Sequence, residues 1–470
     1  MVTANVIGSG PNGLAAAVTL AKAGIEVTVY ERNAIPGGGA RSVEATLPGI
    51  LHDHCAGFHP LSVNNAFVLD AQLDSFGLEW ALPAIQYAHP LDYGRGAAAS
   101  RSIEHTGQQL GDPAWQRLFG PLARHFAKLS NDVVQPMLQL PQSPIGFTRF
   151  GMRAGLPVSL LAKAFRTAEA QALFAGVAAH AFQPFHTLGS SAIGVTLLAA
   201  AHAVGWPVAK GGSQAIVDAM LKALDHYGAT VVTDAHISSL ADVPTADIVM
   251  LNTGPAAAAD ILGSAVPDRI ASGLRRYRYG PAVAPVSLAV EGGIPWLYEP
   301  ARQAGTVHVG GSFAEIAVVE AQISKGRMPP NPFVLVGQQS VADPVRAHHN
   351  IHPVDAYAHV PAGYPHDATE LIIRQLERFA PGVRERIVAH SSRTTADLEA
   401  DNPNFVGGDI VSGANSLDQL LFRPRPALNP YRLGSTRAYL CSAATPPGAG
   451  AHGMAGYNAA RSALEDLLER

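Results

Sequence analysis

Thr3-Ala4-Asn5-Val6-Ile7-Gly8-Ser9-Gly10-Pro11-Asn12-Gly13 is the stretch on which the reading of the chain turns. A β-branched, apolar run from Thr3 to Ile7 enters a glycine turn. An Ala-rich run from Leu14 to Ala23 leaves it and stops at Gly24, where a helix needs a left-handed residue. A second apolar run, Ile25 to Tyr30, then delivers Glu31 and Arg32. In this order Gly8 permits the tight turn, Gly10 lets the backbone approach a pyrophosphate, and Gly13 lets the helix pack closely on the sheet. The pyrophosphate sits by Pro11 and Asn12, on a helix N-terminus whose free N–H groups and dipole favour an anion. Glu31 is placed for the ribose hydroxyls. Strand, turn, helix, strand and acid in register predict a dinucleotide site without separating FAD from NAD.

Composition narrows the class. At 470 residues and 47% hydrophobic content, the length suits about three domains' worth of chain and more than one core. Only 15% of residues are charged and the net charge is −4, so neither a nucleic-acid footprint nor a polybasic membrane segment is written into it. Cys55 and Cys441 stand far apart, which excludes a zinc ribbon, a disulfide framework and a redox dithiol, and fits a reducing, cytoplasmic setting. The first strand begins almost at Met1, so no signal peptide is expected. The stretch Leu188 to Trp206 is interrupted by Ser190, Ser191, Thr196 and His202 and reads as a buried helix rather than a membrane span.

After Glu31 comes Pro36-Gly37-Gly38-Gly39-Ala40-Arg41-Ser42, too rich in glycine for a strand interior, and then polar residues interleaved through Leu51-His52-Asp53-His54-Cys55. From Asp70 to about Pro207 the period becomes helical, with Trp115 to Leu129 and Leu156 to Phe174 as long segments, and this reads as a helical insertion. Lys163 and Arg166 beside Leu160, Leu161 and Phe165 give that second segment the makings of either a bilayer-touching helix or, as we read it, an ordinary half-exposed one. Strands return at Ala229 to Thr233 and at Ile248 to Leu251, the latter running into Asn252, so the nucleotide domain is discontinuous. Between Pro255 and Asn402, strands are expected at Val283 to Val290, Thr306 to Gly310 and Phe333 to Gln338, and a helix at Ala368 to Phe379. No second glycine fingerprint follows a strand there, which argues against a separate NAD(P)H domain. Near the C-terminus a strand delivers Thr445-Pro446-Pro447-Gly448-Ala449-Gly450-Ala451-His452-Gly453-Met454 to a closing helix, the same anion-favouring device as at Gly8.

Three of these segments carry a resemblance. The acid followed by a glycine doublet and a basic residue, the Gly205-Trp206-Pro207-Val208-Ala209-Lys210-Gly211-Gly212 run, and the Thr445 to Met454 turn resemble the phytoene-desaturase-like FAD oxidoreductases of the amine-oxidase superfamily. They are most similar to the pyridine-nucleotide-disulphide-oxidoreductase-domain branch, although this chain has no paired cysteines and carries Gly39 where the family often has a basic residue. The resemblance implies an α/β fold: a Rossmann-like FAD-binding domain with a discontinuous parallel sheet (1–69, 208–254 and 403–470), and a mixed-sheet substrate domain with a helical insertion (70–207 and 255–402). It implies FAD held by Gly8, Gly10, Pro11, Asn12, Gly13, Glu31, Arg32, Gly38, Gly39, Ala40, Arg41, Ile237, Asn252, Gly450, Gly453 and Met454. The activity implied is removal of a hydride equivalent from a largely apolar small molecule, as a desaturase, dehydrogenase or oxidase, with electrons passing to oxygen, a quinone or another acceptor. A flavin-dependent polyene isomerase and a non-catalytic FAD-containing interaction protein are the alternatives. Peripheral membrane contact follows only weakly, and nucleic acid is not expected.

Polar clusters add no separate chemistry. His52 and His54 share a strand face and His348, His349 and His352 lie together, but neither set has a third ligand fixed by spacing, so structural roles are expected and no metal is assigned. His52, Asp53, His54 and His59 are of more interest as residues facing a flavin ring. His452 is read first as a helix cap. No nucleophile triad or carboxylate pair stands out, and catalytic residues stay unassigned.

Overall fold

The computed structural model describes residues 1–136, 140–434 and 437–469. The opening stretch folds as its pattern dictates: strand Thr3–Ile7, helix Pro11–Lys22 and strand Glu26–Tyr30. Gly24 takes φ +83° just past the helix, and its N–H closes on Ala21 O at 2.9 Å. A five-stranded parallel sheet forms in the order 438–440, 248–251, 3–7, 26–30, 230–232, so its members come from the beginning, the middle and the end of the chain. Helix Pro11–Lys22 is buried along most of its length between this sheet, helix Gln214–His226 and the closing helix Met454–Leu468.

A second, seven-stranded sheet is mixed, in the order 387–392, 282–291, 351–360, 334–337, 304–309, 85–90, 96–100. Only the 304–309/85–90 pair is parallel. Helix Thr369–Phe379 covers one face through Ile372, Leu376 and Phe379. Helices between 103 and 203 cover part of the other, where Trp115, Phe119, Phe165 and Phe174 build a core that reaches Tyr87 and Phe333. Helix Ser191–Ala203 is buried there, and no helix among the described residues is long and apolar enough to cross a membrane.

Three expectations need correction. The 70–207 stretch is not purely helical, because Ile85–Pro90 and Gly96–Ser100 join the mixed sheet. The helix expected over Leu156 to Phe174 is broken: Val158–Leu161 ends in a short turn, Phe165 is extended to reach the core, and Thr167 caps a new helix, Ala168–Ala178. The long strand Ile351–Val360 has no counterpart in the sequence reading, because His352, Asp355 and His359 disguise a strand whose neighbours bury it.

Candidate functional site

The turn after Thr3–Ile7 is held by the next strands over. Gly8 N donates to Tyr30 O and Asn252 N to Ile7 O, both at 2.8 Å. With its carboxamide oxygen turned to the loop, Asn252 accepts from Gly10 N at 3.1 Å and Gly13 N at 3.2 Å. A side chain at Gly13 would strike Gly8 O, and one at Gly10 would come within 2.9 Å of the Asn252 amide, so the turn admits only glycine without a shift. Glu31, 8% exposed, accepts from Ser9 N (2.8 Å) and Ser9 Oγ (2.5 Å) through one oxygen and from Asn33 N (2.9 Å) through the other. Its carboxylate is thus fixed before any ligand arrives.

These residues line one cleft, with about 1390 Å³ of empty space counting its open mouth. Of the expected site residues, Gly8, Gly10, Pro11, Asn12, Glu31, Arg32, Gly38, Gly39, Ala40, Ile237, Asn252 and Gly450 are in its walls. Ala235 N donates to Glu31 O at 2.8 Å, which sets Ile237 next to the acid. The remaining four do not line it. Gly13 lies under the turn; Gly453 is pressed between Phe67 and Ala15; Met454 is fully buried in the core. Arg41 stands behind the wall, its Nε donating to Gly38 O at 2.8 Å and its guanidinium paired with Asp401, itself a wall residue. Walls that the sequence reading missed come from Cys55–Ala56, Pro255, Asn402 to Phe405, Ile410 and Ser412. Asn404 Nδ2 reaches Asn252 O at 3.1 Å across more than a hundred residues, a closure that local pattern does not encode.

Cys55 and Ile410 also belong to a second, adjoining chamber of about 530 Å³. Phe58, Val283, Val286, Leu335, Tyr357 and Leu398 make its apolar wall, and Asp53, His54, Ser287, Gln339, Asp355 and Arg393 its polar one. Asp53 Oδ2 accepts from Arg346 at 2.6 Å, Asp53 Oδ1 from Ser213 N at 2.7 Å, and Arg346 also reaches Ala209 O at 2.7 Å. The Gly205 to Gly212 run is therefore a joint between the sheets rather than a wall of the cleft. His52 pairs with Asp355 at 2.8 Å; this base, despite burial, helps hold the Asp355 carboxyl below its ordinary range. His54 sits at 2.7 Å from Asp401, but burial and the flanking Arg393 and Arg41 keep its imidazole pKa low. Burial opposes ionisation of Asp401, yet His54 and Arg41 outweigh it and hold this carboxyl at about 2.

Burial pushes the Cys55 thiol up to about 11, so it is no thiolate at neutral pH, and Cys441 is also free and raised. His59 bonds Ser213 Oγ at 2.9 Å, outside both cavities. Gly453 is the N-cap of the closing helix; His452, one residue before it, accepts from Met454 N through Nδ1 at 3.1 Å, and burial lowers its pKa to about 4.

The comparisons with known proteins follow this geometry. Residues 6–69 match the NAD(P)-binding Rossmann-like domain family. The pyridine nucleotide-disulfide oxidoreductase domain-containing protein 2 of Rattus norvegicus is 24% identical over 98% of this chain and 93% of its own. An oxidoreductase from Methanosarcina mazei superposes with a TM-score of 0.61 at 16% identity, covering 100% of both chains. Putrescine oxidase does so at 0.61 and 17% identity, covering 100% of this chain and 99% of its own. In fold, the chain resembles these oxidoreductases. Its cleft lies at the Rossmann-like parallel sheet, beside the mixed sheet.

Proposed function

We propose that the chain is an FAD-dependent oxidoreductase that removes a hydride equivalent from a C–H bond of a small molecule with an apolar body. The observation that carries the reading is adjacency: one cleft passes Ile237, Glu31 and the glycine turn and shares Cys55 and Ile410 with a neighbouring chamber walled by Phe58, Leu335 and Tyr357. On this reading segments 1–69, 208–254 and 403–470 carry the cofactor, and 255–402 supplies most of the substrate chamber together with Asp53 to Phe58, while 70–207 packs against the mixed sheet away from the chamber's lining.

The residues present suit FAD. Asn12 Oδ1 and Thr253 Oγ1 are buried at the cleft without a partner, and Gly10 and Gly38 leave a cradle that a side chain would fill. When bound, FAD supplies a two-electron acceptor. Glu31, held by Ser9 and Asn33, accepts from the ribose hydroxyls. Backbone N–H groups at the start of helix Pro11–Lys22 face the pyrophosphate. Ala449, Gly450 and Ala451 line the cleft as a small-residue turn that would leave room for the ring end, and the apolar lining of the chamber would keep water from the reacting carbon. With FAD bound, oxidation would take two electrons and two protons from the substrate, and an acceptor such as oxygen or a quinone would finally receive the electrons.

The test is direct. Purified protein, as isolated and after incubation with FAD, is expected to show flavin absorbance that elutes with the chain and is released on denaturation. Anaerobic mixing with a true substrate bleaches it. Protein that binds no FAD even after reconstitution overturns the reading.

A further inference from the structure

Around the chamber the acids already have bases. Asp53 is paired with Arg346, Asp355 with His52, and Asp401 with Arg41 and His54. Arg393 breaks the pattern. It lines the chamber, yet among the described residues it has no carboxylate within ion-pair distance. Its terminal nitrogens reach only His54, one lying 2.7 Å from Nε2, the ring nitrogen that Asp401 also faces, and one donating to the backbone carbonyl, and its Nε donates to nothing described. A guanidinium cannot shed its proton in a protein, so a half-buried arginine with spare N–H groups retains an unmet demand for an acceptor. The partner it has is a poor one. The His54 imidazole, low in pKa, supplies no negative charge, and the nearby Asp401 is shared with Arg41. A second polar atom is unmatched in the same wall: Gln339 Oε1, on a residue 2% exposed, has no donor, and as an acceptor it calls for an N–H or O–H on the ligand rather than for its carboxylate. Opposite these groups stand Phe58, Val283, Leu335, Tyr357 and Leu398. The chamber therefore has one cationic pole and one apolar wall.

We propose that the chamber takes a substrate with a carboxylate head and an apolar body, the carboxylate being bound by Arg393. This rests on the flavin reading, because the chamber owes its role to lying beside the cofactor cleft, with Cys55 and Ile410 lining both. Charge-assisted, forked donation from a guanidinium to a carboxylate fixes orientation as well as affinity, so the head sets which carbon of the body faces the cleft. A neutral hydrocarbon of the same length leaves Arg393 without its acceptor and binds less well.

FAD-loaded full-length chain is titrated with 3-phenylpropionate and, in parallel, with its neutral counterpart 3-phenylpropanamide, by calorimetry and by flavin difference spectrum. The acid is expected to bind at least tenfold more tightly than the amide and to perturb the flavin bands. Arg393→Met is expected to erase that preference while leaving amide binding unchanged, and Arg393→Lys to retain part of it. Equal binding of acid and amide, or no binding of the acid, by flavin-loaded wild type overturns the proposal while leaving the flavin reading standing. So does an acid preference that survives in Arg393→Met. Loss of flavin from Arg393→Met, with no acid preference in the wild type, assigns Arg393 to the cofactor and overturns it too. Should Arg393→Met fail to fold, the wild-type acid-to-amide ratio and Arg393→Lys decide. A chain that takes up no FAD at all overturns the flavin reading instead, and calorimetry still reads the carboxylate.

Discussion

Arg346 and Asp53 meet with side chains 0% and 1% exposed, and they come from positions 293 residues apart. Such a pair gains little over an apolar pair of the same shape, because both charges lose water, but breaking it is costly. Arg346→Met would strand Asp53 and also Asp343, which accepts from Arg346 Nε at 3.2 Å. The expected loss is about 3–5 kcal/mol in urea unfolding, with part recovered in the Arg346→Met, Asp53→Asn double variant as one buried charge disappears. A loss below about 1 kcal/mol would mean that water or relaxation satisfies the acids, and the joint would need another account. Legibility at this scale was uneven. Glu31 and the glycines were readable because their chemistry is local and their spacing fixed. Arg346, Arg393 and Asp401 were not, since each matters through a partner that only the folded chain brings near.

Helix Pro11–Lys22 and the closing helix cross where Gly456 meets Asn12 and Ala16. A Cβ at Gly456 would drive into Asn12 O and lie 3.0 Å from Ala16 N, so the crossing depends on a missing side chain. Gly456→Ala gains helix propensity but forces the two backbones apart, and overpacking of this kind costs about 1–3 kcal/mol. The same shift moves Asn12 in the cleft wall, so weaker FAD retention is expected alongside a lower urea midpoint. A Gly456→Ala protein at least as stable as the wild type would show that the helices have room to spare. The elements themselves followed pattern where one face was apolar and regular, as in Thr3–Ile7, Ile248–Leu251 and Ala282–Glu291. Pattern failed for Ile351–Val360, because a strand buried on both edges carries the polar residues that its neighbours satisfy: Asp355 takes His52 and Ser287, and His359 takes Glu320. It failed again near Phe165, where core packing outweighed helical continuity.

Over the whole molecule, burial lowers the pKa of His59, His89, His202 and His452 to about 4 and that of His180 to about 3. Each is neutral when folded but takes a proton near pH 6.5 once unfolded. Their contribution is therefore complete above pH 6.5 and is lost as pH falls toward 4. Asp409 acts in the opposite sense. Burial raises its carboxyl to about 6, despite N–H donation from Gly280, Val411 and Gly413, so its contribution is present below 3.8 and lost as pH rises through 6. Five groups outweigh one, and urea midpoints measured from pH 7 to pH 4 are expected to fall steadily, with more than two protons taken up on unfolding at pH 5. A flat profile would show that the histidines are reached by water.

The parallel sheet sets the order in which such a molecule can be made. Strand 438–440 pairs with 248–251, which pairs with 3–7, and the cleft takes walls from residue 7 through residue 451. A chain still emerging from the ribosome can shape the glycine turn early, but it has no outer strand, no Ala449 to Ala451 turn and no closing helix over Pro11–Lys22 until residues 438–468 have been made. On the proposed reading, cofactor capture has to wait for residues 438–468, and the bound molecule would then tie the first strand to the turn at Ala449 to Ala451 through a shared wall.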